Sequence, residues 1–117
     1  MCDIMRAGQL PQFAKSGQDE VSLKSHFSPN IKGWVFDGKS GNQVTLWECD
    51  DDGVSQPHTH EFDEWLIVIS GEYTICSERK RVPLAAGQQC YIPAGIKHWG
   101  TYKKHTQTIN LFGGKRV

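Results

Sequence analysis

The stretch SQPHTHEFDEW, residues 55–65, sets His58 and His60 one residue apart and follows them with three acids, Glu61, Asp63 and Glu64. Neutral imidazole nitrogens and carboxylate oxygens are the donors that first-row divalent metals take. Along a β-strand side chains alternate between faces, so His58 and His60 point the same way while Thr59 points away. Two imidazoles on one face chelate a metal only if neighbouring strands bring further ligands. An HxH pair alone is a weak signal, because short histidine pairs also occur on solvated strands. Other chemistries have less support. GKSGN (38–42) lacks the spacing of a nucleotide-binding loop, and no GxSxG nucleophile signature is present. Asp63 and Glu64 are adjacent and point apart, unlike the facing carboxylates of a glycoside hydrolase.

The elements that must position these side chains read as short apolar runs broken by Gly, Pro, Asp and Asn, the pattern of an all-β domain. GWVFDG (33–38) and QVTLWEC (43–49) flank KSGN as a hairpin, and DDDG (50–53) is a turn. VSQPHTH (54–60) follows as a strand and the chain turns at Glu61–Asp63. EWLIVIS (64–70), YTICSE (73–78), RVPLAAG (81–87), QQCYIP (88–93), AGIKHWGTY (94–102) and TQTINLF (106–112) complete about eight or nine strands, a sandwich or barrel. Residues 1–20 are polar and aperiodic and read as an N-terminal arm, leaving 21–117 as one barrel domain. Trp65 to Ile69 are apolar at every position, so that strand needs cover on both faces. The arm or a second subunit could supply the outer cover, and a homodimer is the expectation.

With 13 basic and 13 acidic residues in 117, the net charge is zero, so nothing points to nucleic acid or an anionic membrane as partner. No apolar stretch approaches the roughly 20 residues of a membrane span, and the N-terminus lacks the apolar middle of a secretory signal. Cys2, Cys49, Cys76 and Cys90 form no CxxC pair and read as reduced thiols in the cytoplasm.

A second segment, GQQCYIPAGIKHWG (87–100), places His98 just after a turn marked by Pro93 and Gly95. Together the two segments resemble the paired motifs of the cupin superfamily. The first motif matches at Gly53, His58, His60, Glu64 and Gly71, the second at Gly87, Pro93, Gly95 and His98. The resemblance implies a small antiparallel β-barrel, or jelly roll, with one divalent transition metal per chain (Fe, Mn, Ni or Zn) held by His58, His60, Glu64 and His98. Alternation agrees with the choice of acid, since Glu64 opens a strand whose inward face continues through Leu66 and Val68, leaving Glu61 and Asp63 to the turn. Three imidazoles and a carboxylate leave positions open to a small-molecule ligand, which suits catalysis. The family implies a metal-dependent enzyme of dioxygenase, isomerase or lyase type on a small polar metabolite; the alternative is a non-catalytic ligand-binding or sensory domain.

Tyr102 stands where the second motif commonly has Asn. By alternation it shares a face with His98 and Gly100, which makes it the candidate catalytic acid or base. Cys90 shares an inward face with Ile92 and reads as an inert core thiol. Trp34, Trp47 and Trp99 read as core or dimer-face residues, and His26 and His105 as surface residues.

Overall fold

A computed structural model describes residues 4–15, 20–21 and 30–116 of the chain. Among the described residues the short apolar runs become ten strands after one turn of 3-10 helix at Gln12–Lys15. They are β1 (Glu20–Val21), β2 (Ile31–Asp37), β3 (Gln43–Cys49), β4 (Gly53–Val54), β5 (Glu64–Ser70), β6 (Glu72–Cys76), β7 (Arg81–Ala85), β8 (Gln89–Ile92), β9 (Trp99–Tyr102) and β10 (Gln107–Phe112). Every pairing is antiparallel. One sheet has the order β1-β2-β3-β10-β5-β8 and the other β4-β9-β6-β7. The all-β jelly-roll expectation therefore holds. Pro83, which cannot donate to a ladder, sits in the edge strand β7. Cys2 and His26 lie outside the described residues.

Period-two alternation sets the inner and outer faces. Along β3, Gln43, Thr45, Trp47 and Cys49 are buried while Val44, Leu46 and Glu48 are half-buried. Along β5, Glu64, Leu66 and Val68 turn inward, so burial alternates even though the residue types do not. The interior holds two apolar clusters. Ile31, Val35, Trp47, Cys49 and Tyr102 form one, and Leu66, Val68, Ile75, Leu84 and Ile92 the other, with Tyr73 packed against both. Polar side chains are buried with them: Thr45, Ser55, Glu64, His98, Thr106, Thr108 and Asn110. A buried polar set is the informative departure from an ordinary core, because burial without a partner is costly.

The outer face of the larger sheet carries two apolar rows in register. Phe36, Val44, Leu111, Trp65 and Tyr91 form one; Trp34, Leu46, Ile109 and Ile67 form the other. Tyr91 and Leu111 are exposed and Ile69, further along β5, is too.

One expected strand is not continuous. VSQPHTH pairs as β4 at Gly53–Val54, continues through Ser55 N–H to the Gly100 carbonyl, and resumes at an isolated bridge between His58 and His98. Between them lies Pro57, which has no N–H to give a ladder. Two residues, Gln56 and Pro57, stand opposite the single Trp99, so the segment bulges.

Candidate metal centre

The bulge and the following turn bring three imidazoles together. His58 and His98 exchange backbone hydrogen bonds, N to O at 2.9 Å and 3.0 Å, which locks the two segments side by side. Gly95 N–H donates to the His60 carbonyl at 2.9 Å, tying the Pro93–Ile96 turn to the same rim. The ring centroids then lie 4.9 Å apart for His58 and His60, 4.4 Å for His58 and His98, and 5.3 Å for His60 and His98. One ring nitrogen from each lies within 4.8 Å of the others.

Two of the rings are oriented by the backbone. His58 Nδ1 is 2.7 Å from the Gln56 carbonyl and His98 Nδ1 is 2.8 Å from the Ile96 carbonyl. A carbonyl only accepts, so each Nδ1 carries the proton and each Nε2 presents a lone pair. His60 is oriented by packing instead, its ring stacked on Phe62 at 5.2 Å and meeting Phe112 edge-on at 5.8 Å. Its Nε2 is buried and makes no hydrogen bond.

Glu64, the first residue of β5, stands beside the three rings. Its Oε1 stands 3.5 Å from both His60 Nε2 and His98 Nε2. Its Oε2 accepts a hydrogen bond from Asn110 Nδ2 at 2.8 Å, and Asn110 Oδ1 accepts one from Thr108 Oγ1 at 2.7 Å. Burial works against charge on Glu64, but contacts with His60, His98 and Asn110 outweigh it and pull its pKa down to about 2. Burial pulls His58 down to about 4, so it is neutral at pH 7. Burial also opposes charge on His98, yet the Glu64 carboxylate and the Ile96 carbonyl prevail and raise its pKa. A fixed anion beside inward lone pairs and an orphaned imidazole nitrogen is a donor set that fits a divalent transition metal.

The donors line a narrow cavity of about 50 Å³, walled by Tyr73, Trp99, Phe112 and Arg116 among others. Tyr73 is the tyrosine on this wall. Tyr102 is buried as alternation requires, but it lies behind, with its ring stacked on Tyr73 at 5.6 Å and 20°. Burial, reinforced for Tyr73 by the Glu64 charge, pushes both phenols above their usual pKa. Gly100 makes the arrangement possible, because a Cβ there would sit 2.3 Å from the Tyr73 hydroxyl oxygen.

Asp63 is exposed, as expected, but not idle. Its carboxylate accepts hydrogen bonds from the Tyr91 hydroxyl and from Ala94 N–H (2.8 Å), pinning the turn that leads to His98. Glu61 is exposed. Cys90 packs against the second core cluster, and burial raises its pKa, in keeping with an inert thiol. Trp47 is core, Trp34 is buried on the outer row, Trp99 is on the cavity wall, and His105 is exposed away from the cluster. Sequence reasoning missed Asn110, Thr108, Tyr73 and Arg116. A signal for the first two was present in TQTINLF, whose first three inward positions are Thr, Thr and Asn before the apolar Phe112.

A cupin domain family model matches residues 45–109, more than half of the chain. The chain belongs to the cupin family. Among solved structures this cupin resembles KdgF from Halomonas sp., at 21% identity over 84% of this chain and 87% of that one, with a TM-score of 0.71. It also resembles an RmlC-like cupin from Shewanella frigidimarina, at 15% identity over 86% of each chain, TM-score 0.72. The polyketide cyclase RemF from Streptomyces resistomycificus is similar at 15% identity over 93% of this chain and 78% of that one, TM-score 0.68. At such identities the likeness concerns the fold. Comparison with curated protein sequences gave no match.

Proposed function

We propose that this cupin binds one divalent transition metal (Fe, Mn, Ni or Zn) through His58, His60, Glu64 and His98 and is a metal-dependent enzyme acting on a small polar metabolite. The observation that carries this reading is His60 Nε2, buried and without a hydrogen bond between two other imidazoles and a carboxylate. An unpartnered buried nitrogen is costly unless something absent from the protein atoms satisfies it. A bound metal would supply Lewis acidity or, as iron, dioxygen chemistry. Thr108 and Asn110 hold Glu64 with one oxygen occupied and the other turned to the imidazoles. Burial keeps His58 neutral and its Nε2 lone pair available. Tyr73 presents a phenol that stays protonated, a hydrogen-bond donor for a substrate oxygen. Tyr102, stacked behind it, is proposed to position Tyr73 rather than to transfer a proton directly.

Elemental analysis of protein purified without added metal, beside a His60→Ala variant, tests the reading. We expect near-stoichiometric metal in the wild type and a large loss in the variant; near-zero metal in both would overturn it. The second reading is a non-catalytic ligand-binding or sensory cupin. It is favoured by the titration pattern, with His58 shifted down and both phenols shifted up, away from the neutral range that acid–base catalysis prefers. Ligand binding without turnover across a metabolite panel would select it.

We further propose that the two apolar rows on the outer sheet face are covered by a second copy of this chain. They form one continuous patch across five strands, and a chain of zero net charge meets no overall repulsion from its own copy. Cys49, Cys76 and Cys90 are free thiols, which supports a reducing, cytoplasmic setting. No helix among the described residues is long and apolar enough to cross a membrane.

A further inference from the structure

His60 differs from the other two imidazoles in how it is held. Backbone carbonyls of Gln56 and Ile96 take the Nδ1 protons of His58 and His98. The His60 ring lies instead against two phenyl rings, stacked on Phe62 at 5.2 Å with 9° between the planes and edge-on to Phe112 at 5.8 Å. Phe62 and Phe112 also meet each other edge-on, at 6.1 Å. Phe112 is a fixed member of this trio, 3% exposed on β10. Phe62 is half-buried in the turn before β5, outside any strand, and needs support from elsewhere.

The segment that follows β10 supplies it. Gly113 N–H donates to the Asp63 carbonyl at 2.9 Å, which extends the β10–β5 pairing alongside Phe62. Further on, Arg116 N–H donates to Gln43 Oε1 at 2.7 Å and ties down the other end. Between these anchors Gly114 comes so close that a Cβ there would stand 2.5 Å from Cδ2 and 2.9 Å from Cγ of Phe62. Only a residue without a side chain lets the backbone lie against the ring at this distance.

We propose that Phe62 is a positioning residue for His60 and that Gly114 holds Phe62 in place, so that the chain after β10 aims one of the metal donors. The inference rests on the metal reading above. A metal-binding imidazole needs its ring plane fixed, and a hydrogen bond from the second ring nitrogen ordinarily fixes it. For His60 the stack does this work, because turning the ring about its χ2 bond would lift it off Phe62 and drive it into Phe112. The ring is thereby held with Nε2 3.5 Å from Glu64 Oε1, and metal binding does not have to order it.

Cobalt(II) binding to the whole chain tests this without turnover, by chelator competition and by proton spectra of the loaded protein. A stacked aromatic pair contributes enough that Phe62→Leu should weaken cobalt about 3- to 10-fold. Phe62→Tyr keeps the ring and should bind cobalt as the wild type does. Gly114→Ala drives a Cβ into the ring, so it should weaken cobalt in the wild type yet add nothing in the Phe62→Leu protein, where the smaller side chain leaves room. The metal-shifted ring signals of His60 should move in both single variants, while the Nδ1–H signals of His58 and His98, held by their carbonyls, stay in place. Cobalt affinity in F62L equal to the wild type, or signals of all three imidazoles displaced alike, overturns the inference while the metal reading stands. An equal loss from G114A with and without the Phe62 ring overturns the role of Gly114. Wild-type protein that takes up no cobalt overturns the metal reading and this inference with it.

Discussion

Replacing Gly100 by alanine tests the tyrosine stack that forms one wall of the cavity. The new Cβ would lie 2.3 Å from the Tyr73 hydroxyl oxygen, 2.5 Å from Cε1 and 2.6 Å from Cζ. Relief to ordinary van der Waals contact needs a shift of roughly 1 Å, and neither side is free to make it. The Gly100 backbone is held by Ser55, with Gly100 N–H donating to Ser55 Oγ at 2.6 Å and Ser55 N–H donating to the Gly100 carbonyl at 2.8 Å. Tyr73 is backed by Tyr102, whose ring lies 2.5 Å from the position a Cβ on Gly53 would take. Overpacking of this kind costs about 1–3 kcal/mol. For a domain of this size that is a fall in Tm of roughly 5–20 °C, read by calorimetry on metal-free protein. The double mutant with Tyr73→Leu removes the ring that clashes. The two changes should then couple favourably by at least about 1 kcal/mol, so that together they cost less than their sum. A Gly100→Ala protein that melts with the wild type, or single effects that add within about 0.5 kcal/mol, would refute the reasoning.

Glu64→Gln keeps the shape but removes the only carboxylate among the proposed donors, and should lower metal affinity on the order of 100-fold in a chelator competition; Asp63→Ala, which frees the turn before His98, should stay within about tenfold yet speed hydrogen exchange at Ala94. Metal-free protein should lose stability on acidification. His58 is neutral in the fold down to about pH 4 whereas the unfolded chain takes up its proton near 6.5, so that contribution falls away between pH 6.5 and 4. Glu64 adds stability above pH 4.5 that disappears as the pH drops through about 2, in the same direction. His98, its folded pKa raised, adds a smaller opposite contribution that is present below 6.5 and lost as the pH climbs through its folded value. A Tm that is flat from pH 7 to 4 would contradict the His58 assignment. On the outer rows, Ile67→Arg should turn a sedimenting dimer into a folded monomer, and a wild-type protein that sediments as a monomer would dismiss the interface.

Local patterning carried much of the fold. QVTLWEC and EWLIVIS coincide with β3 and β5, because each is a short apolar-rich run bounded by turn residues; only the burial in EWLIVIS, not its residue types, alternates in steps of two. The expected strand at VSQPHTH fails for an equally local reason, the missing N–H of Pro57, yet His58 and His60 still converge because the bulge leaves them on one rim. Asp63 was legible as a turn acid, since alternation turns it away from Glu64. Its grip on Tyr91 and Ala94, about thirty residues on, was not.

The sequence by itself determined the all-β class, the four candidate donors and the family, because motif spacing and alternation are local properties of the chain. Only the tertiary structure decided what surrounds those donors. Asn110 reaches Glu64 through the β10–β5 pairing, and Arg116 reaches the cavity through a contact with Gln43, far away in sequence. Tyr73 and Tyr102 are direct cross-strand partners, both turned inward, and no periodicity distinguishes them. Which of the two meets the cavity depends on where Gly100 leaves room, a matter of packing between strands rather than of order along one.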